Sequence, residues 1–160
     1  MNETYARLIE TYSTQAIRLK SLLASCPRKM WEFKPGPEHW SIREVLHHLA
    51  DAELNFTLRI RFALGEPGST VHSFDQEAWG RNLRYPERYP ETAIDLYESL
   101  VRDNHGLFLE LSDEDFARTV QHSTRGPQTV EYLIGFCEIH LRKHMEQIQR
   151  RLVEWKDRVG

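Results

Sequence analysis

Apolar residues recur along this chain at spacings of three, four and seven, the period of helices with one buried face. Four stretches carry the pattern. The first is predicted to run from Glu3 to Ser25, with Tyr5, Leu8, Tyr12, Leu19 and Leu23 on its stripe, and to stop at Cys26-Pro27, since proline disfavours helix in the residue before it. The second is predicted over Ile42 to Leu64. Its start is tightly specified: Ser41 and Glu44 have the spacing of a capping box, and Trp40 and Val45 that of a hydrophobic staple. The third is predicted over Thr92 to Leu111, and the fourth from an N-cap at Thr129 to about Lys156, its basic end (Arg150, Arg151, Lys156, Arg158) complementing the helix dipole. Four amphipathic helices of about twenty residues predict an all-α chain folded as a four-helix bundle.

The connections are unequal. Between the second and third helices lies a long crossover, Gly65 to Pro90, opened and closed by glycine and proline, with a short helix predicted within it over Phe74 to Arg81. Loops of this length are usually functional or crossover segments. Its aromatic residues (Phe74, Trp79, Tyr85, Tyr89) either cover one end of the bundle or line a pocket. Thr124-Arg125-Gly126-Pro127 predicts a short hairpin-like excursion before the last helix. The whole, 160 residues, is expected to form one domain over 1–160.

Charge and cysteine content narrow the partners. A formal net charge of −3 argues against a nucleic-acid module, which shows a strongly basic face. Cys26 and Cys137 are isolated and suit neither a disulfide framework nor a Cys-x-x-Cys unit, so a reducing cytoplasm is the expected compartment. No apolar signal core and no membrane-length apolar run is present. Cys26 reads as a small apolar residue, since nothing nearby in sequence would lower its pKa.

The candidate chemistry lies in the histidines. At about 100° per residue, His140 and His144 fall in the apolar stripe of the fourth helix, one turn apart and projecting in one direction. Two readings stand: core histidines bonded to carbonyls or water, or a pair of metal ligands at helical spacing. The pair is not a zincin motif, because Leu141 stands where the catalytic glutamate would be. His48, at the edge of the buried face of the second helix, is the expected third ligand. Its neighbour His47 points mostly to solvent on the same wheel. His72, His105 and His122 read as surface or loop residues, His122 with a lesser prospect of supporting a ligand. Glu53 falls inside the second helix's apolar stripe, as a fourth ligand, an acceptor for an imidazole N–H, a base acting on bound water, or the partner of a buried arginine such as Arg102. Three imidazoles from two helices leave an ion one open position, the catalytic type of site. Zinc and nickel come first as the divalent ion, with iron and manganese also compatible.

The stretch Trp40 to Glu53, with its Trp-Ser and its His48-Leu49-x-Asp51, together with His140-x-x-x-His144 followed by Gln147-Ile148, resembles the DinB/YfiT-like superfamily. The likeness spans nearly the whole chain. It implies a divalent metal on His48, His140 and His144, in agreement with the helical wheel. Relatives of that kind include S-transferases using low-molecular-weight thiols such as bacillithiol and a mycothiol-dependent isomerase. The resemblance therefore implies a thiol-dependent S-transferase acting on a small molecule. The alternatives are a metal-dependent hydrolase, with Glu53 as its base, and a non-catalytic metal-binding or stress-response module. Bundles of this kind pair through exposed helix faces, so a homodimer is also an expectation.

Overall fold

The computed structural model describes residues 2–159. Six helices follow in order: α1 (Glu3–Ser13), α2 (Gln15–Ala24), α3 (Ile42–Gly65), α4 (Gln76–Asn82), α5 (Pro90–Leu109) and α6 (Val130–Val159). Three short strands complete the chain: β1 (Thr70–Val71), β2 (Thr119–His122) and β3 (Gly126–Thr129). α1 with α2, and then α3, α5 and α6, are the four members of the expected bundle.

The first predicted helix is broken in two at Thr14. The Ser13 and Thr14 hydroxyls donate to the carbonyls of Glu10 (2.7 Å) and Thr11 (2.8 Å). Such back-bonding competes with the helical ladder and marks where it bends. At α3 the sequence-encoded start is present in full. Ser41 Oγ accepts from the Glu44 N–H at 3.3 Å, and the Glu44 carboxylate accepts from the Ser41 N–H at 2.8 Å. α5 begins at Pro90, where a residue without an N–H costs nothing. α6 begins after Thr129, whose hydroxyl accepts from the Tyr132 N–H at 3.0 Å.

Side-chain pairs fix the directions of the helices. Arg43 reaches the Pro86 carbonyl (3.0 Å) and Arg61 reaches Asn104 (2.7 Å), so α3 and α5 run parallel. His48 meets His140 and His144, and Phe56 meets Phe136, so α3 and α6 are antiparallel. Tyr12 contacts Asn104 while Lys20 pairs with Glu98, so α1–α2 oppose α5. Arg18 pairs with Glu138 and Lys29 lies over the Trp155 ring, so they run with α6. The order is up, down, down, up. Two consecutive parallel helices demand a crossover that returns the length of α3, roughly 36 Å at 1.5 Å per residue. Residues 66–89 are that crossover, and α4 rides on it. β1 pairs in parallel with β2, which pairs antiparallel with β3 (Thr70 opposite Gln121, Gln121 opposite Pro127). The sheet thereby ties the start of the crossover to the hairpin before α6. No described helix is long and apolar enough to cross a membrane.

Within the largely aliphatic and aromatic core, α1, α3 and α5 meet at a polar knot. Glu53, 2% exposed, accepts from the Tyr12 hydroxyl, with the Asn104 amide at 3.5 Å. Asn104 also donates to Tyr12 (2.8 Å) and Thr57 (2.6 Å) and accepts from Arg61. Glu53 is therefore built into the contact between α1, α3 and α5, and the expected pairing with Arg102 does not occur, since Arg102 is exposed on α5.

Two outcomes follow. Ser41→Ala removes the cap and should cost about 1 kcal/mol in denaturant unfolding. Burial raises the Glu53 carboxyl from an ordinary 4.5 to about 7. Folding thus favours its protonated form. The contribution is full below pH 4.5 and is lost as pH rises through about 7. At 1.36 kcal/mol per pH unit the span is worth about 3 kcal/mol. Unfolding free energies at pH 5 and pH 7.5 should differ less in Glu53→Gln than in the native chain.

Candidate metal centre

Antiparallel packing of α3 on α6 brings His48 against the turn of α6 that carries His140 and His144. One ring nitrogen from each of the three lies within 4.8 Å of the others. His48 Nε2 stands 3.0 Å from His140 Nε2. The ring centroids of His144 are 4.7 Å from His48 and 4.5 Å from His140. Nitrogens bound at about 2.0–2.1 Å to one tetrahedral ion sit roughly 3.3 Å apart, so the three donors fit a single ion after small side-chain adjustment. His144 is oriented by the Gln147 amide, whose oxygen lies 2.8 Å from Nδ1. Donation there leaves Nε2 with its lone pair, the usual arrangement in which a ligand's second nitrogen is tied down.

The electrostatics suit ligands as well. Burial pushes His48 down to about 3, with His144 and Lys143 adding to it. Burial, then the charges of His144 and His48, pushes His140 down to about 2. His144 is lowered too, again by burial, against the opposing Gln147 hydrogen bond. All three are neutral near pH 7, the form that offers a lone pair.

The surroundings explain why the rings stay in place. Trp40 packs edge-on against His48 at 5.0 Å, and its carbonyl accepts from Arg151 Nε at 3.1 Å. The capped start of α3 therefore serves the site directly. On one side a cleft of about 200 Å³ contains all three histidines, walled by Phe56, Phe74 and Phe136 and ending at Arg59, His122 and Arg125. A second cleft of about 430 Å³ meets the same cluster between the Glu38–Trp40 loop and α6. The two share Gln76, Lys143 and His144.

Three sequence expectations need correction. His47 is 1% exposed: the crossover lays Tyr85 over it, ring centroids 5.6 Å apart and nearly parallel. A helical wheel knows only the bundle-facing side and cannot see a crossover covering the other. His122 is a buried residue of β2, facing the cleft. Glu53 does not join the ligand cluster and lines neither cleft. It lies five residues beyond His48, about 140° around the helix, and points to α1 and α5 instead. Arg59 was overlooked although it carries a signal: it stands eleven residues after His48, three turns along the same edge of α3. Arg125 had none, since it comes from a turn folded across the helices, whereas Phe74, one of the crossover aromatics expected to cover the bundle or line a pocket, does line the cleft.

Comparison with known proteins agrees with this architecture. A protein of Oceanobacillus iheyensis named "Putative metal-dependent hydrolase OB0782" is 30% identical over 68% of this chain. The match spans only 63% of that relative's own length. One of Halalkalibacterium halodurans, "Putative metal-dependent hydrolase BH0277", is 27% identical over 92% of this chain and 86% of its own. Among solved structures, YfiT from Bacillus subtilis, described as a probable metal-dependent hydrolase with an unusual four-helix bundle topology, superposes with a TM-score of 0.85. It is 23% identical, over 100% of this chain and 90% of that one. A mycothiol-dependent maleylpyruvate isomerase superposes with a TM-score of 0.69 at 12% identity, over 91% of this chain and 60% of that one. The profile of the DinB superfamily matches residues 11–148, nearly the full bundle, and the chain belongs to that superfamily.

Proposed function

We propose that the chain is a divalent-metal-dependent enzyme of the thiol S-transferase class, joining a low-molecular-weight thiol to a small electrophile. The observation that carries this reading is the pair of clefts that share His144, Gln76 and Lys143. A transferase has two organic substrates to bring to one point, whereas a hydrolase has one and water. The donor set supports the same reading. A divalent ion held by His48, His140 and His144 would keep an open position, where it would favour ionisation of a thiol or water. The reaction balances as the S–H proton leaving with the displaced group while the S–C bond forms and the C–leaving-group bond breaks.

The chain's own residues supply position and environment. Gln147 fixes the His144 ring, Trp40 holds His48, and Phe56 and Phe74 keep water from the reacting end. Among the described residues no carboxylate lines the cleft that holds all three histidines, and Glu38, Glu77 and Glu154 line only the second one. An ion would ease the ionisation of water as well as of a thiol, but a thiol starts far more acidic and needs less help from a carboxylate base in this cleft. Resemblance in fold to a mycothiol-dependent enzyme supports thiol use. Metal-dependent hydrolysis is the second reading, favoured by the names of the sequence relatives.

Purified native protein should contain close to one divalent ion per chain, and the His140→Ala/His144→Ala variant none, as read by elemental analysis. Gln147→Leu should bind the ion about 10- to 100-fold more weakly. Metal-dependent loss of free thiol with a panel of small electrophiles is the expected activity. Ester or amide hydrolysis without thiol consumption would reverse the ranking. Native protein that takes up neither zinc, nickel nor manganese would overturn the enzyme reading.

A further inference from the structure

The far end of the three-histidine cleft gathers positive groups without an acid to match them. Arg59 is 6% exposed, and among the described residues it makes no ion pair. One of its nitrogens donates to the His72 carbonyl at 2.8 Å, which leaves most of its guanidinium donors unused. Arg125 comes from the turn between β2 and β3 and lies 5.9 Å over the Phe136 ring, facing the same cleft. Burial, with the nearby charge of Arg125, lowers Arg59 from its ordinary value. A buried cation beside a second cation is costly unless an anion joins them.

His122 adds a third donor. Its Nδ1 accepts the Thr124 N–H at 3.2 Å, so the neutral ring carries its proton on Nε2. That Nε2 is buried and has no hydrogen-bond partner in the protein. The residue is 3% exposed and lines the cleft. The rest of the lining includes the apolar Ala52, Phe56, Phe74 and Phe136, with Ser73, Gln76 and, beside the ligand histidines on α6, Lys143. Eleven residues of α3 separate His48 from Arg59, roughly 16 Å along the axis, and side chains lean toward the helix N-terminus, which brings the guanidinium back toward His48.

We propose that Arg59, Arg125 and the Nε2–H of His122 form a carboxylate-binding end of the cleft. It holds a small substrate whose apolar body lies across the phenylalanines and whose reactive end reaches the three histidines. This rests on the cleft being the substrate site of the proposed enzyme, but the anion end requires no metal. A planar carboxylate suits the fork of a guanidinium, and a cleft of about 200 Å³ admits a molecule the size of a substituted benzoate.

The probes are 4-fluorobenzoate and its uncharged counterpart 4-fluorobenzamide, titrated against the whole chain and followed by fluorine NMR. The benzoate should bind saturably and at least about tenfold more tightly than the amide, the preference expected of charge-assisted hydrogen bonds. Arg125→Gln, in an exposed turn where folding is not at stake, should erase most of that preference, and Arg59→Gln the rest. The preference should survive in His140→Ala/His144→Ala. No saturable benzoate binding, equal binding of acid and amide, or a preference unaffected by Arg125→Gln would overturn the proposal. Loss of the preference only in the histidine variant would also overturn it, by moving the carboxylate to the histidines. Native protein that takes up neither zinc, nickel nor manganese yet keeps the preference would defeat the enzymatic reading and leave the anion end standing.

Discussion

Everything at the centre of this protein depends on one contact, the antiparallel packing of α3 on α6. It sets three imidazoles from two helices against one another, in surroundings dry enough to keep them neutral. Their nearest polar neighbours are largely each other. One hydrogen bond between His48 and His140 can satisfy only part of this cluster, and in the ligand tautomer, with all three lone pairs facing inward, the nitrogens repel. In that tautomer the arrangement is a cost to the fold unless something electron-poor sits among the rings. What offsets that cost is the aliphatic core on either side, with Leu133, Leu141, Ile148 and their α3 counterparts fully buried.

A second constraint is topological. Because α3 and α5 run parallel, the chain must travel the length of the bundle between them. That obligatory return is put to use: Phe74 closes the cleft, Tyr85 covers His47, and Gln76 stands between the two clefts. Asp51, on the face of α3 beneath the crossover, accepts the Tyr85 hydroxyl at 2.6 Å and pins the returning chain. The acidic residue in the His-Leu-x-Asp stretch thus has a structural task here, distinct from that of the histidine three residues before it.

How much of this the sequence revealed follows from what helical periodicity can and cannot measure. The bundle, its capped second helix and the His48–His140–His144 set were legible because each depends on local arithmetic around a helix axis. Thr14 was not, because the apolar stripe continues smoothly through a bend made by hydroxyl groups. His47 was misplaced because its outer face is covered by residues forty positions away. Glu53 was recognised as a buried acid, but its partners come from α1 and α5. Which way a buried carboxylate turns is decided by the neighbouring helices and not by its own stripe. Arg125 and His122 sit in a hairpin whose docking against α3 has no periodic signature.

The small sheet has a mechanical meaning. Backbone bonds from Gln121 N to the Ser69 carbonyl and from Ser123 N to the Val71 carbonyl, both 2.9 Å, join the crossover to the hairpin. Arg59 is tied to the same unit through the His72 carbonyl. Three basic side chains, one from α3 and two from the hairpin, are thereby mounted on one hydrogen-bonded frame. The opposite wall, where Phe74 and α4 lead away from the sheet, is held by side-chain contacts and by the Tyr85–Asp51 hydrogen bond further along the crossover. The arginine end is thus a ruler set by backbone bonds, and the aromatic end a wall held by side-chain packing such as Phe74 on Trp79.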